Sequence, residues 1–183
     1  GTPVQIVVFY PRADAEIIDH WDTLGMRGTG SHDVALNDVF VPKHRTGPLA
    51  PWDAPPKQME GPLYRYTIWP AVAGLASVAF GVAAAAIEEL VDIAINKTPA
   101  YTSSALRERP VAQAQIAEAE AKLGSSRAYL YDAFDEFWDR AKQGQMLPQK
   151  QKDKMQLAST HGIQAAAEAV DLVQRAAGTS GIR

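Results

Sequence analysis

Apolar positions change rhythm once along this 183-residue chain. Up to residue 47 they fall in short β-branched and aromatic runs, and from residue 65 onward they recur every three or four positions. Residues 4–10 and 34–42 have the composition of strands. Between them, 19–22 and 24–31 form a turn-rich stretch, and Pro42 closes the second strand because it cannot donate to a ladder. Prolines and glycines then thicken, which marks 48–64 as a linker between a β-rich segment, 1–47, and a helical domain, 65–183. Two strands are too few for a stable sheet, so partner strands are expected from elsewhere.

Three long helices are predicted, at 66–95, 110–142 and 149–177. Pro110 suits a first helical turn, where its missing N–H is not needed. Ala112, Ile116, Ala119, Leu123, Ser126, Leu130, Ala133 and Phe137 alternate steps of four and three and form a single stripe, with Glu118, Glu120, Lys122 and Arg127 off it. At 1.5 Å per residue each helix would run roughly 45 Å. Long helices joined by short loops imply an up-and-down bundle.

The first helix is apolar all round: 68–87 contains no charged residue. Its length could span a bilayer, but eight of those twenty residues are alanine, and Pro70, Gly74 and Gly81 interrupt the run. Ser77 and Gly81 make a small-xxx-small step that suits close helix packing. We read a wholly buried core helix and no membrane span. Two other helices cannot cover it, so a fourth helix or a neighbouring subunit is expected. Without that cover the chain should self-associate or expose a groove.

Composition narrows the classes. Apolar residues make up 46% and charged residues 21%, as in ordinary globular proteins. A net charge of -3 argues against a duplex-binding module, so no nucleic-acid partner is expected. No cysteine is present, which excludes disulfides and thiolate chemistry and fits a cytoplasmic location. The four histidines show no metal spacing, and no G-x-S-x-G elbow occurs. A β-rich start without an initiator methionine, and an end just past a helix, lead us to expect an interior piece of a larger protein.

Trp21-Asp22-Thr23-Leu24-Gly25-Met26-Arg27-Gly28-Thr29-Gly30-Ser31-His32-Asp33-Val34, continuing to Asp38-Val39-Phe40-Val41-Pro42, resembles the end of the middle β-domain of the acyl-CoA dehydrogenase superfamily. The three helices resemble its C-terminal four-helix domain without the last helix. The resemblance implies an α+β fragment: the end of a β-barrel followed by an incomplete four-helix bundle. It also implies a flavoenzyme using FAD or FMN, forming a homo-oligomer (dimer or tetramer), with the flavin between the β-domain and the bundle. A small-molecule substrate would lie over the flavin face.

Candidate site residues follow. Arg27 with Thr29 and Ser31 offers a cation, two hydroxyls and open backbone N–H groups, which suits an anion nest or simply a chain reversal. Trp21 is placed near the flavin or in the barrel core. Gln174 and Gly178 match a Q-x-x-x-G position that reaches a neighbouring subunit's flavin, with Thr179 and Ser180 adding donors; the alternative is a helix C-cap. The dehydrogenase branch carries R-x-x-F-G before the second helix, but this chain reads Ala105-Leu106-Arg107-Glu108-Arg109-Pro110. Arg107 or Arg109 is the candidate replacement, with solvated surface arginines as the alternative. Glu88-Glu89 offers a base for α-proton removal on chemical grounds alone. No catalytic residue is assigned.

These features favour a two-component monooxygenase-like hydroxylase using reduced flavin and O2, with a flavin reductase or electron-transfer partner. The alternatives are an acyl-CoA dehydrogenase oxidising the CH–CH bond of a thioester and a non-catalytic helical interaction module. Residues 1–183 alone are expected to be inactive.

Overall fold

The computed structural model describes residues 6–48, 61–65 and 69–182. Most of the 48–64 linker and the first residues of the predicted 4–10 strand and 66–95 helix lie outside them. The chain divides into two units, 1–50 and 51–183.

The first unit holds four three-residue strands: β1 (Ile6–Val8), β2 (Glu16–Ile18), β3 (Asp33–Ala35) and β4 (Thr46–Pro48). They form two separate antiparallel ribbons. In β1–β4, Val7 faces Gly47; in β2–β3, Ile17 faces Val34. Three differences from expectation appear. The predicted 34–42 strand is paired only at its start, because Asp38 turns the chain through a left-handed φ of 52°. Thr46–Pro48, expected in or beside the linker, pairs with β1. β2 lies where no strand was expected, since Glu16-Ile17-Ile18 is too short to show an alternation. The described strands form no barrel.

The second unit is built on α1 (Trp69–Asn96), α2 (Pro110–Lys142) and α3 (Gln149–Ala177). The second and third predicted helices coincide with the observed ones. Pro110 opens α2 and Pro148 caps the start of α3, each where no N–H is required. Gly178, at φ 60°, stops α3 and returns its N–H to the Gln174 carbonyl. The turn 143–148 folds α3 back on α2, with Gly144 at φ 71°.

α3 lies in the middle, packing along both α1 and α2, while α1 and α2 touch over a short stretch. The predicted α2 stripe is the buried one: Ala112, Ala119, Leu123, Ser126, Leu130, Ala133 and Phe137 are buried and Ile116 is half-buried. Ser126 and Ser159 are buried without penalty, because their hydroxyls donate to the Lys122 and Met155 carbonyls. Small residues draw α1 onto α3: a Cβ at Gly162 would lie 2.7 Å from Phe80 Cζ.

α1 is left incompletely covered by its two companions, as its all-round apolar surface led us to expect. Ala73, Ala76, Phe80, Ala83, Ile87, Leu90 and Ala94 are buried on one face, but Leu75, Val78 and Val82 are 62%, 66% and 59% exposed. Helices α2 and α3 lie to one side, so the opposite flank has no cover among the described residues. By length and composition α1 is also apolar enough to cross a membrane, a test that soluble core helices pass as well. The groove expected from missing cover is present between α1 and α2.

Surface charge ties α3 to α2. Lys154 bridges Asp132 at 2.7 Å and Glu136 at 2.8 Å, hydrogen bonds that push its ammonium up to about 12 from 10.5. The same contact holds the Glu136 carboxyl below 4.5. The raised lysine stabilises the fold fully below its unfolded value, and this is lost as pH rises through about 12. The lowered carboxyl stabilises above 4.5, and this is lost as pH falls through its folded value. Lys154→Met should therefore lower the urea midpoint at pH 7. The gap from wild type should close in acid and narrow in high salt, because both carboxylates are exposed.

Candidate functional site

The predicted site residues fall in both units. In the first unit the loop 19–32 joins β2 to β3 and carries four predicted site residues. It reverses through two left-handed positions, Met26 and Gly30, both at φ 57°. Trp21 is half-buried, and its indole Nε1 donates to the Met26 carbonyl at 3.0 Å. Thr29 Oγ1 donates to the same carbonyl at 2.9 Å and lies 3.2 Å from Ser31 Oγ. Arg27 pairs with Asp22 at 2.8 Å. Trp21, Arg27, Thr29 and Ser31 thus share one loop, but much of their bonding capacity closes the loop on itself. Arg27 is charge-balanced before any anion arrives.

In the helical unit, the turn before α2 and the end of α3 meet at one end of the bundle. Lys97 joins them: its carbonyl accepts the Leu106 N–H at 2.8 Å and its Nζ donates to the Ala177 carbonyl at 2.8 Å. Buried Leu106 anchors the turn that carries Arg107, whose carbonyl accepts Gln113 Nε2 at 2.8 Å. The exposed Arg107 guanidinium has no carboxylate partner among the described residues. Sequence reasoning passed over Lys97, because an isolated lysine after a helix carries no local signal.

Gln174 lines a cleft of about 370 Å³ with Ser180 and Gly181, facing Glu89, Leu90 and Ile93 of α1. Gly178 shapes the turn that leads Ser180 into the cleft. Exposed Thr179 is outside its lining. Of the two candidate bases, Glu89 borders this cleft and Glu88 does not. His161 is exposed on α3, and no group of three or more metal-ligating side chains occurs among the described residues.

The groove between α1 and α2 is larger, about 440 Å³, and mainly apolar. Gly74, Ser77 and Gly81 form one wall, and Leu130 and Phe134 part of the other. Arg127 stands at its side, stacked 5.5 Å above the Tyr131 ring.

Residues 73–183 match the family described as "Acyl-CoA dehydrogenase, C-terminal domain", and the chain belongs to this family. Among individual relatives, the chain is 35% identical over 173 residues to indole-3-acetate monooxygenase from Pseudomonas putida, covering 94% of this chain and 43% of that protein. It is 33% identical over its whole length to indole-3-acetate monooxygenase from Acinetobacter baumannii, covering 46% of that protein. The flavin-dependent monooxygenase oxygenase subunit HsaA of Mycobacterium tuberculosis is 32% identical over 151 residues, 75% of this chain and 37% of HsaA. The chain therefore spans less than half the length of these relatives.

The fold is shared with XiaF from Streptomyces sp., solved in complex with FADH2 and glycerol. The TM-score is 0.86 at 23% identity, over 97% of this chain and 46% of that one. The 3-HSA hydroxylase from Rhodococcus sp. RHA1 gives 0.81 at 22% identity, over 97% of this chain and 47% of that one.

Proposed function

We propose that the protein is the oxygenase component of a two-component flavin-dependent monooxygenase, hydroxylating a small, aromatic substrate with reduced flavin and O2. The identity with indole-3-acetate monooxygenase over 94% of the chain carries this reading. The lack of R-x-x-F-G before α2 also favours it over a dehydrogenase. A flavin reductase would supply the reduced flavin. We also propose a homo-oligomer, for which the bare flank of α1 leaves room, and a cytoplasmic protein, in keeping with the absence of cysteine. The β-unit, 1–47, would be the end of a middle β-barrel domain, joined by the linker 48–64 to the helical domain 65–183.

The residues present suit a phosphorylated, polyhydroxylated cofactor. The Gln174 amide, the Ser180 hydroxyl and the exposed Thr179 hydroxyl gather about the Gly178 turn, and Arg107 stands at the same end with its charge uncommitted. Glu89 in the cleft accepts hydrogen bonds from hydroxyls and repels phosphate, which leaves the phosphate to Arg107. In the β-unit, taken by itself, Trp21, Arg27, Thr29 and Ser31 offer a separate set of groups suited to the cofactor, with Arg27 exchanging Asp22 for an anionic partner. Bound flavin supplies the redox chemistry; these side chains bind and orient it.

The full-length protein should consume O2 and hydroxylate indole-3-acetate only when reduced flavin is supplied. Dye reduction by an acyl-CoA without reduced flavin would overturn the reading in favour of a dehydrogenase. Absence of any saturable flavin quenching would favour an interaction module. Gln174→Ala should weaken flavin binding about fivefold, the effect of one hydrogen bond, as read by fluorescence titration.

A further inference from the structure

We propose that His32 is a proton-operated latch for the loop 19–32, a device that stands independently of the flavin reading. Its Nδ1 serves two partners at once. The Trp21 backbone N–H points at it from 3.2 Å, and Asp19 Oδ1 lies 3.2 Å from it. These demands exclude each other. To accept from Trp21 the nitrogen must keep its lone pair; to pair with Asp19 it must carry a proton. Neutral imidazole can take either role, whereas imidazolium carries N–H on both nitrogens and can only donate. Proton uptake therefore hands His32 to Asp19 and strips the Trp21 N–H of its acceptor.

The surrounding charges reinforce the exchange. On the paired strand end, His20 Nδ1 lies 3.1 Å from the Ile18 carbonyl, a contact that requires a proton on Nδ1. Neutral His20 then turns a bare Nε2 toward Asp33 Oδ2 at 3.5 Å, and a second proton converts that contact into an ion pair. Both histidines at the base of the loop thus gain a carboxylate on protonation, and only His32 gives up a backbone bond. The remaining charged pair on the loop is Arg27 with Asp22, 2.8 Å apart. Trp21 leads into the stretch bearing Arg27, Thr29 and Ser31, so release of its N–H frees the entry to that stretch. The indole bond to the Met26 carbonyl holds the far side.

Nuclear magnetic resonance on the 15N-labelled chain tests this directly. Above the histidine range, His32 should carry its proton on Nε2 and the Trp21 amide should be protected from exchange. On acidification Nδ1 should gain a proton and the Trp21 protection factor should fall about tenfold, the loss of one hydrogen bond. Asp19→Ala removes the competing carboxylate, and the Trp21 transition should move to lower pH. Trp21 protection that stays constant while His32 titrates would overturn the latch. So would an Nδ1-protonated His32 at high pH. Both readings come from the unaltered chain and hold whether or not the variant folds.

Discussion

Phe137→Ala should lower the stability of the helical unit by about 3–5 kcal/mol, the range for truncating a buried aromatic. Phe137 is 1% exposed, at the end of the α2 stripe, with the Phe134 ring tilted at 56° beside it and 5.9 Å between centroids. Its loss removes the largest fully buried side chain among the described residues and leaves a void in the packed seam. Urea unfolding followed by circular dichroism measures the change. Leu75→Ala is the matched control. Leu75 is 62% exposed, so its truncation should shift stability by less than about 0.5 kcal/mol. A cost for Leu75→Ala approaching that for Phe137→Ala, and growing with protein concentration, would show that copies of the chain cover α1 in solution.

Gly162→Leu should also destabilise, by about 1–2 kcal/mol, and here two effects oppose each other. Leucine favours the helix over glycine by up to about 1 kcal/mol. Against this, overfilling a packed seam costs about 1–3 kcal/mol, and even a Cβ here would stand 2.7 Å from Phe80 Cζ and 3.0 Å from Cε1. Steric conflict wins because Phe80 is itself held 92% buried between α1 and α3. Adding Phe80→Ala should relieve the clash, so the double variant should be more stable than the sum of the single losses predicts. A more stable Gly162→Leu protein would mean that the Phe80 ring swings into the α1–α2 groove it lines.

The helices were legible because their signals are local. Pro110, the four-three stripe ending at Phe137 and the Gly178 stop each act within a turn or two of their own position. The strands were harder to read. Thr46–Pro48 is a strand only because Ile6–Val8 lies beside it, and that pairing spans some forty residues of sequence. Asp38 defeated the predicted long strand by adopting a left-handed conformation that its composition did not require. Among candidate site residues, Trp21, Arg27, Thr29 and Ser31 share one loop, as their closeness in sequence makes unavoidable. The motif gave no sign that Asp22 neutralises Arg27, or that Lys97 brings Arg107 to the Gly178 end of the bundle. Those are relations between side chains, which spacing alone does not encode.

The turn 143–148 bears on the order of assembly. Because it returns α3 directly onto α2, the contacts of that pair begin close in sequence and close small loops first. α1 meets α3 through pairs such as Phe80 and Gly162, some eighty residues apart, and joining them demands a far larger loss of chain entropy. The α2–α3 hairpin should therefore form the nucleus and α1 should dock onto it later. Truncation at Phe137 would then slow refolding, whereas crowding at Gly162 would mainly hasten unfolding.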